Sequence, residues 1–271
     1  EEINIFNSVA SSSYEFEESY IDKISKSYPN LSSSAIPIKG VLGGFYITHD
    51  SISKGIELLK EAVLDNPYIG YPDMLLARIY ELIGQQDSFN LYTTRAYNKL
   101  PSNSASYLLK AKKLINEKEF DSLNYFFTQI SDRVNDKNIW QIYLAAMFSL
   151  DGRYEELKID SALVVSNAKN AKNFITDDDT TKFLADYIIH GKDKVLRNLD
   201  KFNIAKDTFD TNPDYAISQL REVIIEIDDN FEYYETIIEM YFLQKNYSMV
   251  TNFYYEMRNK EMTTIKGKVL E

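Results

Sequence analysis

The sequence predicts an all-α protein, a right-handed superhelical solenoid of helix hairpins, and three observations predict it. Helix-hairpin patterns begin at positions 36, 70, 104 and 138, a spacing of 34 residues. With each repeat numbered from 1, position 8 is small (Gly43, Ala77, Ala111, Ala145) and position 11 is large (Tyr46, Tyr80, Leu114, Phe148). Proline stands at position 32 of the first two repeats, as Pro67 and Pro101. A small residue lets two helices cross closely, and a large one a turn later fills the space between neighbours. A proline after the second helix cannot continue it and holds the next repeat in phase. No hairpin buries its apolar face alone, so stacking supplies the core.

Taken in order, residues 1–35 read as a linker followed by a capping helix, with apolar positions from Tyr14 to Tyr28 at helical spacing and Pro29 as its stop. Four repeats then occupy 36–169, as 36–69, 70–103, 104–137 and, approximately, 138–171. Position 20 reads Gly55, Phe89, Leu123 and Leu157, and position 27 reads Ala62, Ala96, Ile130 and Val164. Gly84 and the pair Asp151-Gly152 mark turns between helices. Residues 170–271 form an irregular helical segment plus a last repeat at 231–264. In that segment Asp177, Asp178, Asp179 and Thr180 read as a cap before a helix that Gly191 stops, and Asn212-Pro213 opens another. The step from 138 to 231 is 93 residues, not a multiple of 34, so one helix is extra, missing or displaced there.

Net charge is −11 and the pI about 4.8, which argues against nucleic acid and anionic membrane surfaces as partners, because both require clustered cations. There is no cysteine, so disulfides and thiolate metal sites are excluded. No apolar run approaches the roughly 20 residues of a membrane helix, and the opening on Glu1 reads as a mature or excised soluble part. His49 and His190 fall at inter-helix turns and read as surface residues. The acidic run lacks the glycine and glutamate of a calcium loop. No phosphate loop, nucleophile elbow or metalloprotease histidine pair occurs, so no enzyme, cofactor or metal is expected. The 21 tyrosines and 15 phenylalanines mostly occupy register positions and read as core.

The period, the alternation at positions 8 and 11 and the prolines together make the chain resemble the tetratricopeptide family. That resemblance implies partner binding in a concave groove lined by the first helix of each hairpin at positions 2, 5, 9, 12 and 13. Transferred here, the groove holds Tyr71, Met74, Arg78, Glu81 and Leu82 in the second repeat, Leu108, Lys112, Ile115 and Asn116 in the third, and Ile142 and Leu150 in the fourth. Arg78 and Lys112 point to an acidic protein segment or an acidic cell-envelope glycan. A family variant grips peptide carboxylates with Lys and Asn at positions 5 and 9 of the first repeat. Gly40 and Gly44 stand there, so that clamp is absent.

A narrower resemblance spans Ser27 to Ser106. The phrases Tyr28-Pro29-Asn30-Leu31, Ile36-Pro37-Ile38-Lys39, Asn66-Pro67-Tyr68-Ile69-Gly70-Tyr71, Asp87-Ser88 and Leu100-Pro101 resemble the soluble tail of Bacteroidetes O-antigen ligase or polymerase-like membrane proteins. It implies a periplasmic place at the cell envelope. The expected function is a non-catalytic scaffold for a protein or peptide, and the alternative is a periplasmic accessory domain of such a glycan enzyme.

Overall fold

In the computed structural model the described residues are 35–49, 51–130, 136–175 and 178–260. The expected capping helix, and the first of the phrases above, lie outside them. The described residues hold thirteen α-helices and no β-strand: α1 (Ile38–Thr48), α2 (Ile52–Asp65), α3 (Tyr71–Leu82), α4 (Gln86–Lys99), α5 (Ser104–Asn116), α6 (Phe120–Thr128), α7 (Lys137–Ser149), α8 (Ser161–Phe174), α9 (Asp179–His190), α10 (Lys192–Thr208), α11 (Pro213–Glu226), α12 (Phe231–Leu243) and α13 (Tyr247–Asn259). No described helix is long and apolar enough to cross a membrane.

Two compact bodies divide between Tyr143 and Leu144. In the first, α1/α2, α3/α4 and α5/α6 pair as hairpins, and α3 packs beside both α1 and α5. The prolines act as expected. Asn66 and Leu100 leave the helical region, their N–H groups still donate to Ala62 O (3.1 Å) and Ala96 O (2.8 Å), and the following proline ends the run. In the first hairpin the two backbones cross closely. A Cβ on Gly43 would stand 2.7 Å from Leu59 Cγ, and one on Gly55 would stand 2.8 Å from Gly43 O. In the second and third hairpins Ala77 and Ala111 are buried opposite the equally buried Phe89 and Leu123. Aromatic rings fill part of this core: Tyr107 stacks on Phe126 with ring centres 5.0 Å apart, and Phe127 meets Tyr143 at 4.4 Å. The Tyr143 hydroxyl donates to the buried Asn124 Oδ1 at 2.8 Å, joining α6 to α7.

One turn device recurs at position 15. Gly84, Lys118, Gly152 and Lys245 all have positive φ, between 58° and 76°. At Gly84, Lys118 and Lys245 the next N–H closes back on the carbonyl of position 11, as in Gln85 to Tyr80, Glu119 to Leu114 and Asn246 to Tyr241, each 2.9 Å. Lysine has a Cβ that the left-handed region disfavours. Lys118→Gly and Lys245→Gly are therefore expected to stabilise by about 0.5 to 1 kcal/mol each. Thermal melts should rise by a few degrees, and a fall would show that the lysine stems pack.

The fourth repeat departs from its expected register. Ala145 is exposed, while Leu144 and Met147 are buried. Its inward face is set one residue earlier, and one residue is about 100° of helix rotation. Its second helix is not where positions 20 and 27 placed it either. Asp151 to Lys158 is a run of turns, opened by Asp151 and Gly152 and closed by Lys158, all at positive φ. Leu157 is exposed, and the next helix starts at Ser161 on its Asp160 cap.

In the second body α8/α9, α10/α11 and α12/α13 pair. Four helices separate α7 from α12, whereas strict alternation of first and second helices requires an odd number. A second helix for α7 is the one missing. The caps fall where the sequence put them: Asp178 accepts from Thr181 N at 3.0 Å, Asn212 caps α11, and Gly191, at φ 87°, ends α9. The core is built from Val195, Phe202, Leu220, Val223, Tyr234, Ile237 and Phe253.

Candidate partner-binding surface

The transferred groove positions of the second and third repeats fall on α3 and α5 of the first body. Arg78 and Asn116 are exposed, and Tyr71, Glu81, Leu108, Lys112 and Ile115 are half-buried. Leu82, one turn after Arg78, is 81% exposed. Ile142 is half-buried on α7.

Two members of the set are corrected. Met74 is buried with Leu59, Leu76 and Phe89, and Leu150 is buried as well. Met74 is taken into the core it shares with Leu59 of α2 and Phe89 of α4. Gly40 and Gly44, at the two clamp positions, have no side chains, so α1 lies close against α3: a Cβ on Gly40 would be 3.4 Å from Pro72 Cγ, and one on Gly44 would be 3.4 Å from Leu75 Cδ1 and 3.7 Å from the Tyr71 hydroxyl. The N-terminal end of α3 is thereby turned into packing. Tyr71 belongs partly to this contact, and burial pushes its hydroxyl pKa up.

Lys112 is not a free cation. Its Nζ lies 2.8 Å from Glu81 Oε1 on the neighbouring helix. That leaves Arg78 as the cation this face presents. The pairing joins residues that stand 31 apart in the chain, so no local pattern marks it.

The second body carries a different polar cluster. Lys172 of α8 reaches Asp186 of α9 at 2.5 Å and Asp229, in the α11–α12 loop, at 3.1 Å. His190, one turn beyond Asp186, meets Asp229 at 3.1 Å. Asp186, His190 and Asp229 bring one ligand atom each within 4.8 Å, a spacing a metal could use. The Lys172 ammonium already stands between the two carboxylates and supplies the charge a cation would bring, so the cluster reads as a clamp on three elements. His190 is thus a half-buried member of a network and not a surface residue. Burial raises the Asp186 pKa against the opposing pull of Lys172. For Asp229 burial acts upward too, but the His190 hydrogen bond and Lys172 outweigh it and hold the carboxyl well below the usual carboxylate range.

The sign follows from the depressed value at Asp229. Its stabilising contribution is complete above the unfolded value near about 4 and is lost as pH falls from there towards the folded value. The melting temperature of Asp229→Asn should therefore fall less than that of the native chain between about pH 5 and pH 2. Parallel curves would show that the clamp contributes nothing.

The last repeat supplies groove positions that a reading of the first four repeats passes over. Counted from Phe231, positions 2, 5, 9, 12 and 13 are Glu232, Glu235, Glu239, Phe242 and Leu243. The repeat numbering was the available signal.

No family model matches the chain, and no curated protein matches it. Among solved structures it is similar to a chain in the crystal structure of the APC/C hetero-tetramer Cut9–Hcn1, at 14% identity and a TM-score of 0.41, over 94% of this chain and 45% of that one. The chain spans less than half the length of that relative.

Proposed function

We propose that the chain is a non-catalytic scaffold that binds a protein or peptide segment along α3 and α5. The observation that carries this reading is the pair Arg78 and Leu82: a cation and an exposed leucine one turn apart on the same helix face, beside the half-buried Leu108 and Ile115. An apolar strip with a cation that no carboxylate among the described residues pairs suits an acidic segment that also carries an apolar side chain. The test is selection of a random dodecapeptide library on the chain. Selected peptides should be acidic, and Arg78→Glu with Leu82→Ser should weaken them at least about tenfold, or 1.4 kcal/mol. Exposed helix positions tolerate such changes within about 0.5 kcal/mol of stability. Peptides that bind the double variant unchanged would move the functional surface elsewhere.

A second reading, the periplasmic accessory domain of a glycan ligase or polymerase, draws support from the loop that carries the narrower resemblance. Most of that phrase is structural: Asn66 Oδ1 accepts from Tyr68 N, and Gly70 sits where a Cβ would be 2.7 Å from Leu100 Cγ. Tyr68 is the exception, 87% exposed, and an open aromatic ring can stack on a sugar. Retardation of the chain in a gel cast with bacterial surface polysaccharide, lost in Tyr68→Ala, would favour this reading over the first.

A further inference from the structure

We propose that the open face of α12 docks a cationic peptide segment that ends in apolar residues, with Glu232, Glu235 and Glu239 receiving the cations and Phe242 and Leu243 the apolar end. The inference rests on the scaffold reading and gives one face of the second body a partner chemistry of its own.

The geometry is set by helix spacing. Residues 232, 235, 239, 242 and 243 fall within about a third of the helix circumference, on the side opposite the buried Tyr234, Ile237 and Tyr241. Phe242 and Leu243 are 57% and 61% exposed, and Tyr247, on the first turn of α13, is 58% exposed and meets Phe242 edge-on with ring centres 5.9 Å apart. The face is therefore acidic over its first two turns and apolar at its end.

The bland account is a solvated acidic face. It covers the glutamates but not the three large apolar side chains that continue their stripe. Nor are the glutamates used within the body: no described cation pairs with any of them. The neighbouring carboxylates are paired, Glu222 with Lys201, Glu226 with Arg197 and Lys201, Asp228 with Lys260, and Asp229 with Lys172. Among the described residues these neighbouring carboxylates are thus matched by cations of the body itself, and Glu232, Glu235 and Glu239 are not. Charge selects the occupant. A second copy docking through the same face would set six carboxylates together, and nucleic acid or an anionic membrane is repelled by the same sign. From Glu232 to Leu243 is about 16 Å along the helix, the length of about five residues of extended chain.

The test uses a fluorescein-labelled octapeptide in which three lysines precede Leu-Leu-Phe, followed by anisotropy against the full chain at about 0.15 M salt, where only close charge pairs persist. Two further peptides separate the contributions, one with glycine in place of the apolar residues and one with glutamate in place of the lysines. The lysine–apolar peptide should bind tightest and the glutamate peptide should not bind. Glu232→Gln/Glu235→Gln/Glu239→Gln should weaken it at least tenfold, and Phe242→Ser/Leu243→Ser should do so independently, with melting temperatures confirming that each variant folds. Glu119→Gln/Glu155→Gln/Glu156→Gln, which removes three exposed carboxylates elsewhere, should bind like the native chain. Equal loss in both charge triples would reduce the effect to net charge and overturn the proposal, as would apolar variants that bind unchanged. Arg78→Glu/Leu82→Ser should leave this binding intact, so failure here and failure of the α3 surface are read separately.

Discussion

Lys99→Met is expected to destabilise the chain by about 3 to 5 kcal/mol. Asp73 is fully buried in the first turn of α3, and the Lys99 ammonium at the end of α4 lies 2.5 Å from its Oδ2. The pair closes one hairpin at its two ends. A carboxylate at a helix N-terminus gains from the aligned peptide dipoles, but that gain is at most about 2 kcal/mol and does not offset the desolvation of an unpaired buried charge. Removing the lysine leaves Asp73 with that deficit. Denaturant titration should show the midpoint falling with little change in slope. The double variant Asp73→Leu/Lys99→Met should recover much of the loss, because replacing both members of a buried pair by apolar groups costs far less than removing one. A Lys99→Met loss below about 1 kcal/mol would mean that water reaches Asp73 in solution.

Gly55→Leu is the second large expected effect, and it runs against the repeat pattern. Position 20 is Phe89 in the second repeat and Leu123 in the third, so leucine would be the natural consensus choice. In the first hairpin the same position is a contact between two backbones. A Cβ there would stand 2.5 Å from Ile47 Cγ1 and 2.8 Å from the carbonyl oxygen of Gly43. A side chain can rotate away, but the carbonyl of a helix cannot, so α1 must move off α2. The expected cost is roughly 3 kcal/mol, at the upper end for overpacking. Hydrogen exchange should accelerate over residues 38–65 and stay slow over α3 and α4. Unchanged exchange would show that the hairpin can open its crossing without loss.

The hairpin period, the proline stops and the helix caps at Asp178 and Asn212 were legible in the sequence because each is short-range: a cap needs only its own first turn, and a proline ends a helix wherever it stands. Gly84 and Gly152 were legible as turns for the same reason. Lys118 and Lys245, which adopt the same left-handed conformation at the same repeat position, were not, since nothing in a lysine announces it. The fourth repeat shows where local pattern stops deciding. Its residues fit a 34-residue frame, yet packing rotates α7 by one residue, exposes Ala145 and replaces the expected second helix with turns.

Helical content and repeat length were thus determined by the sequence alone, because they follow from backbone preferences within a turn or two. The surface was decided by tertiary structure. Whether Met74 faces solvent depends on Leu59 of α2 and Phe89 of α4, with which it is buried. Whether Lys112 is a free cation depends on Glu81 across a helix pair, and whether His190 is a surface residue depends on Asp229, 39 residues on. Such contacts are made by whichever side chains the stacking of hairpins brings together, and that stacking is a property of each body as a whole.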